Sequence, residues 1–220
     1  MKRLLLFPCI AILAAFTGCS QSVVEPVSQQ PIGNIDSYFW TSVRAPIKFV
    51  DSLGTFRYTL DFLTDSNGML TVSDAPTQKI EFVINQDSIY ANGYSLLHDS
   101  VIDPDDGSYF IGDLVLLRNN LLAGDSSWVA GTLESRNHIY YNITARMLAH
   151  FDTLQVVTGN IITKYPDALM VRYKFEGTPS TSDTIPYWIV YYVKNIGPVM
   201  FDKVTVTTQK TVINRHEIAP

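Results

Sequence analysis

From residue 37 onward the apolar positions recur every second residue rather than every three or four. In FRYTLDFL, residues 56–63, Phe56, Tyr58, Leu60 and Phe62 fall on one side and Arg57, Thr59 and Asp61 on the other, the alternation of a half-buried strand. The period returns at KIEFVIN (79–85), SIYANGY (88–94), SYFIGDLVLL (108–117), SSWVAGTLES (126–135) and HIYYNITARML (138–148). It continues through TLQVVTGNIITKY (153–165), ALMVRYKF (168–175), PYWIVYYVKN (186–195), PVMFDKVTVTTQK (198–210) and TVINRHEI (211–218). Turn clusters separate these runs: Asn67-Gly68, which supplies the positive φ values of a tight hairpin, DPDDGS (103–108) and TPSTSD (178–183). Gly124-Asp125 before Trp128 predicts a turn feeding a strand with the indole in the core, and Gly197-Pro198 a hairpin between two long strands. One run is ambiguous, DLVLLRNNLLAG (113–124), which is able to supply a helical turn. The expected fold is all-β and antiparallel, either a strongly curved sheet or a β-sandwich, in a single domain over residues 37–220.

The first 36 residues follow another pattern. Lys2 and Arg3 precede thirteen mostly apolar residues, Leu4 to Phe16, and then Thr17-Gly18-Cys19. Thirteen residues are too few to cross about 30 Å of hydrocarbon as a helix, which takes roughly 20, so the run predicts a removable export signal over 1–18. FTGC resembles the lipobox of bacterial lipoproteins, with Phe16 standing where that pattern prefers Leu. The resemblance implies cleavage before Cys19, a diacylglycerol in thioether linkage to its sulfur, and palmitate on the amino group that cleavage frees. Acyl chains contribute about 0.8 kcal/mol per buried CH₂, so multiple chains anchor a protein without a transmembrane helix. Residues 19–36, rich in Ser, Gln and Pro, predict the lipidated N-terminus and a flexible tether. Ser20 beside Cys19 resembles an outer-membrane address, and no acidic run follows the cysteine as it does in lipoproteins displayed on the surface of Bacteroidota. The expected position is the outer membrane, facing the periplasm.

Composition narrows the classes. The 220 residues are 46% hydrophobic and 17% charged, with 12 Tyr and 11 Phe, which is a folding composition. The formal charge of −5 becomes −7 once Lys2 and Arg3 are removed, and with no basic stripe this argues against nucleic acid as a partner. The only other cysteine, Cys9, lies in the signal, so the mature chain forms no internal disulfide.

Three phrases carry a further resemblance. DSYFWTSVRAPIKFV (36–50), LLAGDSSWVAGTL (121–133) and YWIVYYVKNIGPVMFD (187–202) are similar to recurring segments of a broad group of β-rich bacterial envelope lipoproteins of the Bacteroidota kind. Pro and Gly of the group's first phrase are missing, and KNIGPV replaces its usual GVG wording. The resemblance, together with a distant similarity to the curved sheets of lipoprotein-sorting proteins, implies fold and brings no catalytic residues.

Candidate chemistry is sparse. His98, His138, His150 and His216 are widely spread and form no metal-ligand spacing, so each reads as a surface or turn residue; no metal and no cofactor are expected. DPDDG (103–107) departs from a calcium loop, since Gly107 is fifth rather than sixth and Leu114 stands twelfth. Asp followed by Ser or Thr and an apolar residue marks Ser52, Ser88, Ser100, Thr153 and Thr184; this resembles an O-glycosylation acceptor of Bacteroidota and also describes turn caps at strand edges. Trp128, Trp188, Tyr191 and Tyr192 are candidates for an aromatic ligand cleft, with core packing as the plainer account. The expected function is a membrane-anchored envelope lipoprotein with a non-catalytic binding or structural role toward a protein, glycan or lipid partner. The alternatives are a carrier of lipid or another apolar ligand inside a curved sheet and, less favoured, an envelope hydrolase without a visible catalytic motif.

Overall fold

A computed structural model of the chain describes residues 31–40, 45–64, 70–74, 78–84, 87–93, 109–111, 113–134, 140–176, 185–206 and 211–219. Apart from one 3-10 turn at Asp36–Tyr38, its elements are antiparallel strands: β1 Ile47–Val50, β2 Phe56–Thr64, β3 Leu70–Asp74, β4 Gln78–Ile84, β5 Ser88–Gly93, β6 Tyr109–Ile111 and β7 Asp113–Arg118. They continue with β8 Ser127–Glu134, β9 Tyr140–Thr158, β10 Ile161–Glu176, β11 Ile185–Val193, β12 Gly197–Val206 and β13 Thr211–Ile218. No helix of the described residues is long and apolar enough to cross a membrane. The expected all-β fold holds, and it is the curved-sheet form.

The thirteen strands of the described residues belong to one sheet, in the order β6-β8-β9-β10-β11-β12-β13-β1-β2-β3-β4-β5-β7. SYFIGDLVLL, a single run in the sequence, forms two strands that belong to opposite ends of that order. Tyr109–Ile111 pairs with β8, whereas Asp113–Arg118 pairs with β5. Ile111 and Asp113 are two residues apart, which limits the separation of the two sheet ends to about 7 Å there. The sheet is therefore rolled, although it is not closed into a barrel by any ladder between β7 and β8 among the described strands. Two polar contacts cross the roll: Trp128 Nε1 donates to the Val115 carbonyl at 3.0 Å, and Tyr173 Oη donates to the Leu116 carbonyl at 2.6 Å. DLVLLRNNLLAG, the ambiguous run, supplies β7 and then a turn at 123–125, with no helix.

Extra residues in the ladders explain how so wide a sheet curls, because each bulge bends its strand and deepens the twist. Five ladders shift register, at Phe49/Val50, Ile89/Tyr90, Val129/Gly131, Met170/Val171 and Tyr191/Tyr192. The first also corrects the alternation expected of β2. Val50 pairs with Phe56 while Phe49 pairs with Tyr58, so Arg57 is the extra residue and Phe56 turns outward, 59% exposed, while Leu60 and Phe62 are buried.

The inside of the roll is filled from the N-terminal side. Ile32 bridges to Leu121, Ile35 is fully buried, and Phe39 and Trp40 enter the interior beside Phe82, Phe62 and Tyr192. Ring centroids there lie 4.6 Å (Phe39 to Phe82), 5.1 Å (Trp40 to Phe62) and 6.3 Å (Phe39 to Tyr192) apart, the spacing of packed aromatic pairs. Residues 31–36, assigned from composition to the tether, are thus part of the fold. Trp40 lies directly on Gly197, which has φ +98°; a Cβ at that position would overlap the indole, so glycine is required both by conformation and by space.

Candidate functional site

The feature that stands apart from the roll is a long hairpin arm, the outer halves of β9 and β10. The sequence shows breaks near His150–Asp152 and Pro166–Asp167, yet both strands run through them as bends. Leu148 is extra in its ladder, and Asp167 has φ +50° with its cross-strand pairing interrupted between Pro166↔Thr153 and Ala168↔Phe151. These irregularities swing the arm across the outer face of β11 to β13. Leu154, Val156 and Tyr165 of the arm then pack with Tyr191, Val193, Met200 and Ile218 in a second, smaller core. At the tip, Gly159 N donates to the Ser52 carbonyl in the β1–β2 turn at 3.1 Å.

Two polar clusters fasten the arm. The first is Asp167. Its Oδ1 accepts from Tyr38 Oη and from His150 Nε2 at 2.7 Å, and its Oδ2 accepts from Lys194 Nζ at 2.9 Å. Lys194 N also donates to the Asp167 carbonyl at 3.0 Å. Partial burial pushes this carboxyl up, but the hydrogen bonds from Tyr38, Lys194 and His150 outweigh it and hold the group below its ordinary range. Burial and the adjoining carboxylate push the Tyr38 hydroxyl up, which keeps it a donor. His150, expected at the surface or in a turn, is half-buried within a strand instead. The cluster joins three segments, the incoming chain at Tyr38, the arm, and the β11–β12 turn, and acts as a fastener.

The second cluster lies beneath the arm. Arg215 Nε and Nη2 reach Asp202 Oδ1 and Oδ2 at 2.6 and 2.8 Å, a bidentate pair with Asp202 only 3% exposed. That pairing raises the Arg215 pKa despite its burial. Glu217 is fully buried, and its Oε1 accepts from Thr158 Oγ1 of the arm at 2.5 Å. Its Oε2 has no hydrogen-bond partner in the structure. Burial raises the Glu217 pKa, with Asp202 and Asp51 adding to the rise and Thr158 and Arg215 opposing it. Burial, and then the charge of Glu217, raise that of Tyr165. With Arg215 already engaged by Asp202, the nest is an internal latch rather than a cation site. Among the described residues no group of three or more His, Cys, Asp or Glu is placed to hold a metal.

The four aromatic candidates do not share one surface. Trp128, Trp188 and Tyr192 are buried in the main core, where Tyr192 Oη lies 2.7 Å from Tyr173 Oη. Tyr191 points the other way, into the core beneath the arm. The reason is strand geometry, since neighbouring residues on β11 face opposite sides of the sheet. Of the hydroxyl candidates, Ser52 is exposed in the β1–β2 turn, Ser88 opens β5, and Thr153 is exposed at the bend of the arm rather than at a strand edge. Asp51, the acidic residue before Ser52, caps its own turn, accepting from Leu53 N and Thr55 N at 2.9 Å each, and Arg57 pairs with its other oxygen at 2.7 Å. The backbone donor of Thr55 leads these contacts in lowering its pKa. Ser100 and Thr184, His98 and His138, the DPDDG cluster, Cys19 and the signal lie outside the described residues, as does the side chain of His216.

No protein-family model matches the chain, and no curated protein matches it. Among solved structures, the chain is similar to a candidate lipoprotein from Parabacteroides distasonis at a TM-score of 0.42 and 9% identity, over 81% of this chain and 94% of that one.

Proposed function

We propose that the chain is an envelope lipoprotein, held to the outer membrane by lipid on Cys19, facing the periplasm, whose β domain has a non-catalytic binding or structural role. The anchor is supported by the order of basic, apolar and small residues before Cys19. The observation that bears most on the domain is the filled roll. Phe39 and Trp40 occupy the space where a carrier would hold an apolar ligand, and their rings are in contact with Phe62 and Phe82 from the facing wall. Surface recognition of a protein, glycan or lipid partner is the role this arrangement favours over enclosure. The test is uptake: purified mature protein should co-elute with no lipid beyond its own acyl chains and should not bind a fluorescent fatty acid. Saturable uptake that quenches with the buried tryptophans would overturn the reading in favour of a carrier.

A further inference from the structure

Four large apolar side chains are exposed close to one hydrogen bond. Gly159 N to Ser52 O joins the tip of the arm to the β1–β2 turn, and within a few residues of it stand Leu53 (82% exposed), Phe56 (59%), Ile161 (53%) and Ile162 (61%). Exposed single leucines are ordinary, but here four apolar side chains stand on two joined turns, with Ile161 and Ile162 on opposite faces of the arm, so the tip is apolar on both sides, as a contact surface is. Lys48, Lys164 and Arg57 are exposed beside them, and the nearest acid, Asp51, is paired with Arg57.

The position of the patch relative to the chain start indicates what it touches. The described chain begins at Pro31, twelve residues after Cys19, and Ile32 pairs with Leu121. That same turn holds the base of the arm, through Gly124 N to Met147 O and Met147 N to Ser126 O. Further along, Tyr38 bonds Asp167, six residues of strand, or about 20 Å, from Ile161. Twelve residues reach up to about 40 Å when extended. A domain tethered by Cys19 is therefore free to bring this tip to the bilayer that holds its acyl chains. We propose that the joined turns carrying Leu53, Phe56, Ile161 and Ile162 form a second bilayer contact, dipping apolar side chains below the headgroups while Lys48 and Lys164 meet phosphate. The inference rests on the anchor reading for its geometry. Lipid at both Cys19 and the tip would hold the arm's side of the domain toward the membrane and leave the opposite side for a partner.

The three native tryptophans are buried, so an added one reports the tip. Ile161→Trp and, as a control on the exposed body, Val129→Trp would be made in the full chain, purified from membranes and reconstituted in phosphatidylcholine–phosphatidylglycerol vesicles with or without brominated acyl chains. The expected result is a blue-shifted Ile161→Trp signal that brominated lipid quenches, with the Val129→Trp signal unshifted and unquenched. An Ile161→Trp signal as water-exposed as the control, in protein that floats with the vesicles, overturns the tip contact and leaves the anchor standing. A shifted signal untouched by brominated lipid assigns the tip to a second copy or another protein, and also overturns it. Quenching in a chain whose Cys19 carries no lipid would sink the anchor and keep the tip.

Discussion

Tyr173→Phe removes one oxygen and no volume, at the place where the roll is fastened to itself. Tyr173 Oη donates to the Leu116 carbonyl at 2.6 Å, and with that proton committed it accepts from Tyr192 Oη at 2.7 Å. Both tyrosines are fully buried, so neither orphaned partner can turn to water. Each buried polar group left unpaired costs about 1–3 kcal/mol, so orphaning both partners should cost roughly 2–6 kcal/mol, a large part of the ~5–15 kcal/mol by which domains are stable. Tyr192→Phe removes only the outer donor and should cost about 1 kcal/mol. The double substitution distinguishes the chain of bonds from ordinary packing: once Tyr173 is Phe, the Tyr192 hydroxyl is a liability, and deleting it should be neutral or stabilising. Urea unfolding followed by tryptophan fluorescence reads all three. A Tyr173→Phe cost under about 0.5 kcal/mol, or strict additivity of the pair, would refute the idea that this bond closes the roll.

Other consequences are as open to test. Gly197→Ala sets a methyl into the Trp40 indole and asks a non-glycine residue to hold φ +98°, so a loss of about 3 kcal/mol or more is expected, with Trp40 emission shifted red as the plug is displaced. Glu217 holds its proton more tightly folded than unfolded, so its contribution to stability is full below about 4.5, its ordinary value, and falls as pH rises through its raised value. Glu217→Gln should flatten that part of the stability–pH curve, and an unchanged slope would show that Glu217 is not the group responsible. Asp167→Asn keeps the left-handed backbone, which Asn tolerates as well as Asp, but removes the charge and turns one accepting oxygen into an NH₂ donor. It should cost about 1–3 kcal/mol at neutral pH and raise hydrogen exchange along β9 beyond Ala149, with the difference from the parent shrinking as pH falls from 3.8 through the lowered value.

Much of the strand pattern was legible because half-buried strands write their period into the sequence. PYWIVYYVKN and PVMFDKVTVTTQK became the β11–β12 hairpin, and Trp128 took the core position its strand implied. What escaped were the places where a single residue breaks the period. Arg57 turns Phe56 outward, and Leu148 and Asp167 bend two strands that sequence alone shows as interrupted; the apolar run 108–117 is likewise divided between two ends of the sheet. The role of Ile32 and Ile35 was likewise invisible, since isolated apolar residues in a stretch rich in Ser, Gln and Pro look like a tether until a rolled sheet is there to receive them. The fasteners of the arm join residues far apart in the chain, Tyr38 to Asp167 and Thr158 to Glu217, and no local spacing announces such pairs. The exposed isoleucines at 161 and 162 did carry a signal, since two adjacent apolar residues break the period of two and face opposite sides of their strand.

The anchor is the claim on which orientation and location both depend. Intact-mass and fragment analysis of the protein isolated from its native membrane tests it directly. A mature chain that begins at Cys19 and carries the mass of a diacylglyceryl group with an added acyl chain is the predicted result. An unmodified Cys19, or a mature chain that begins elsewhere, would contradict it.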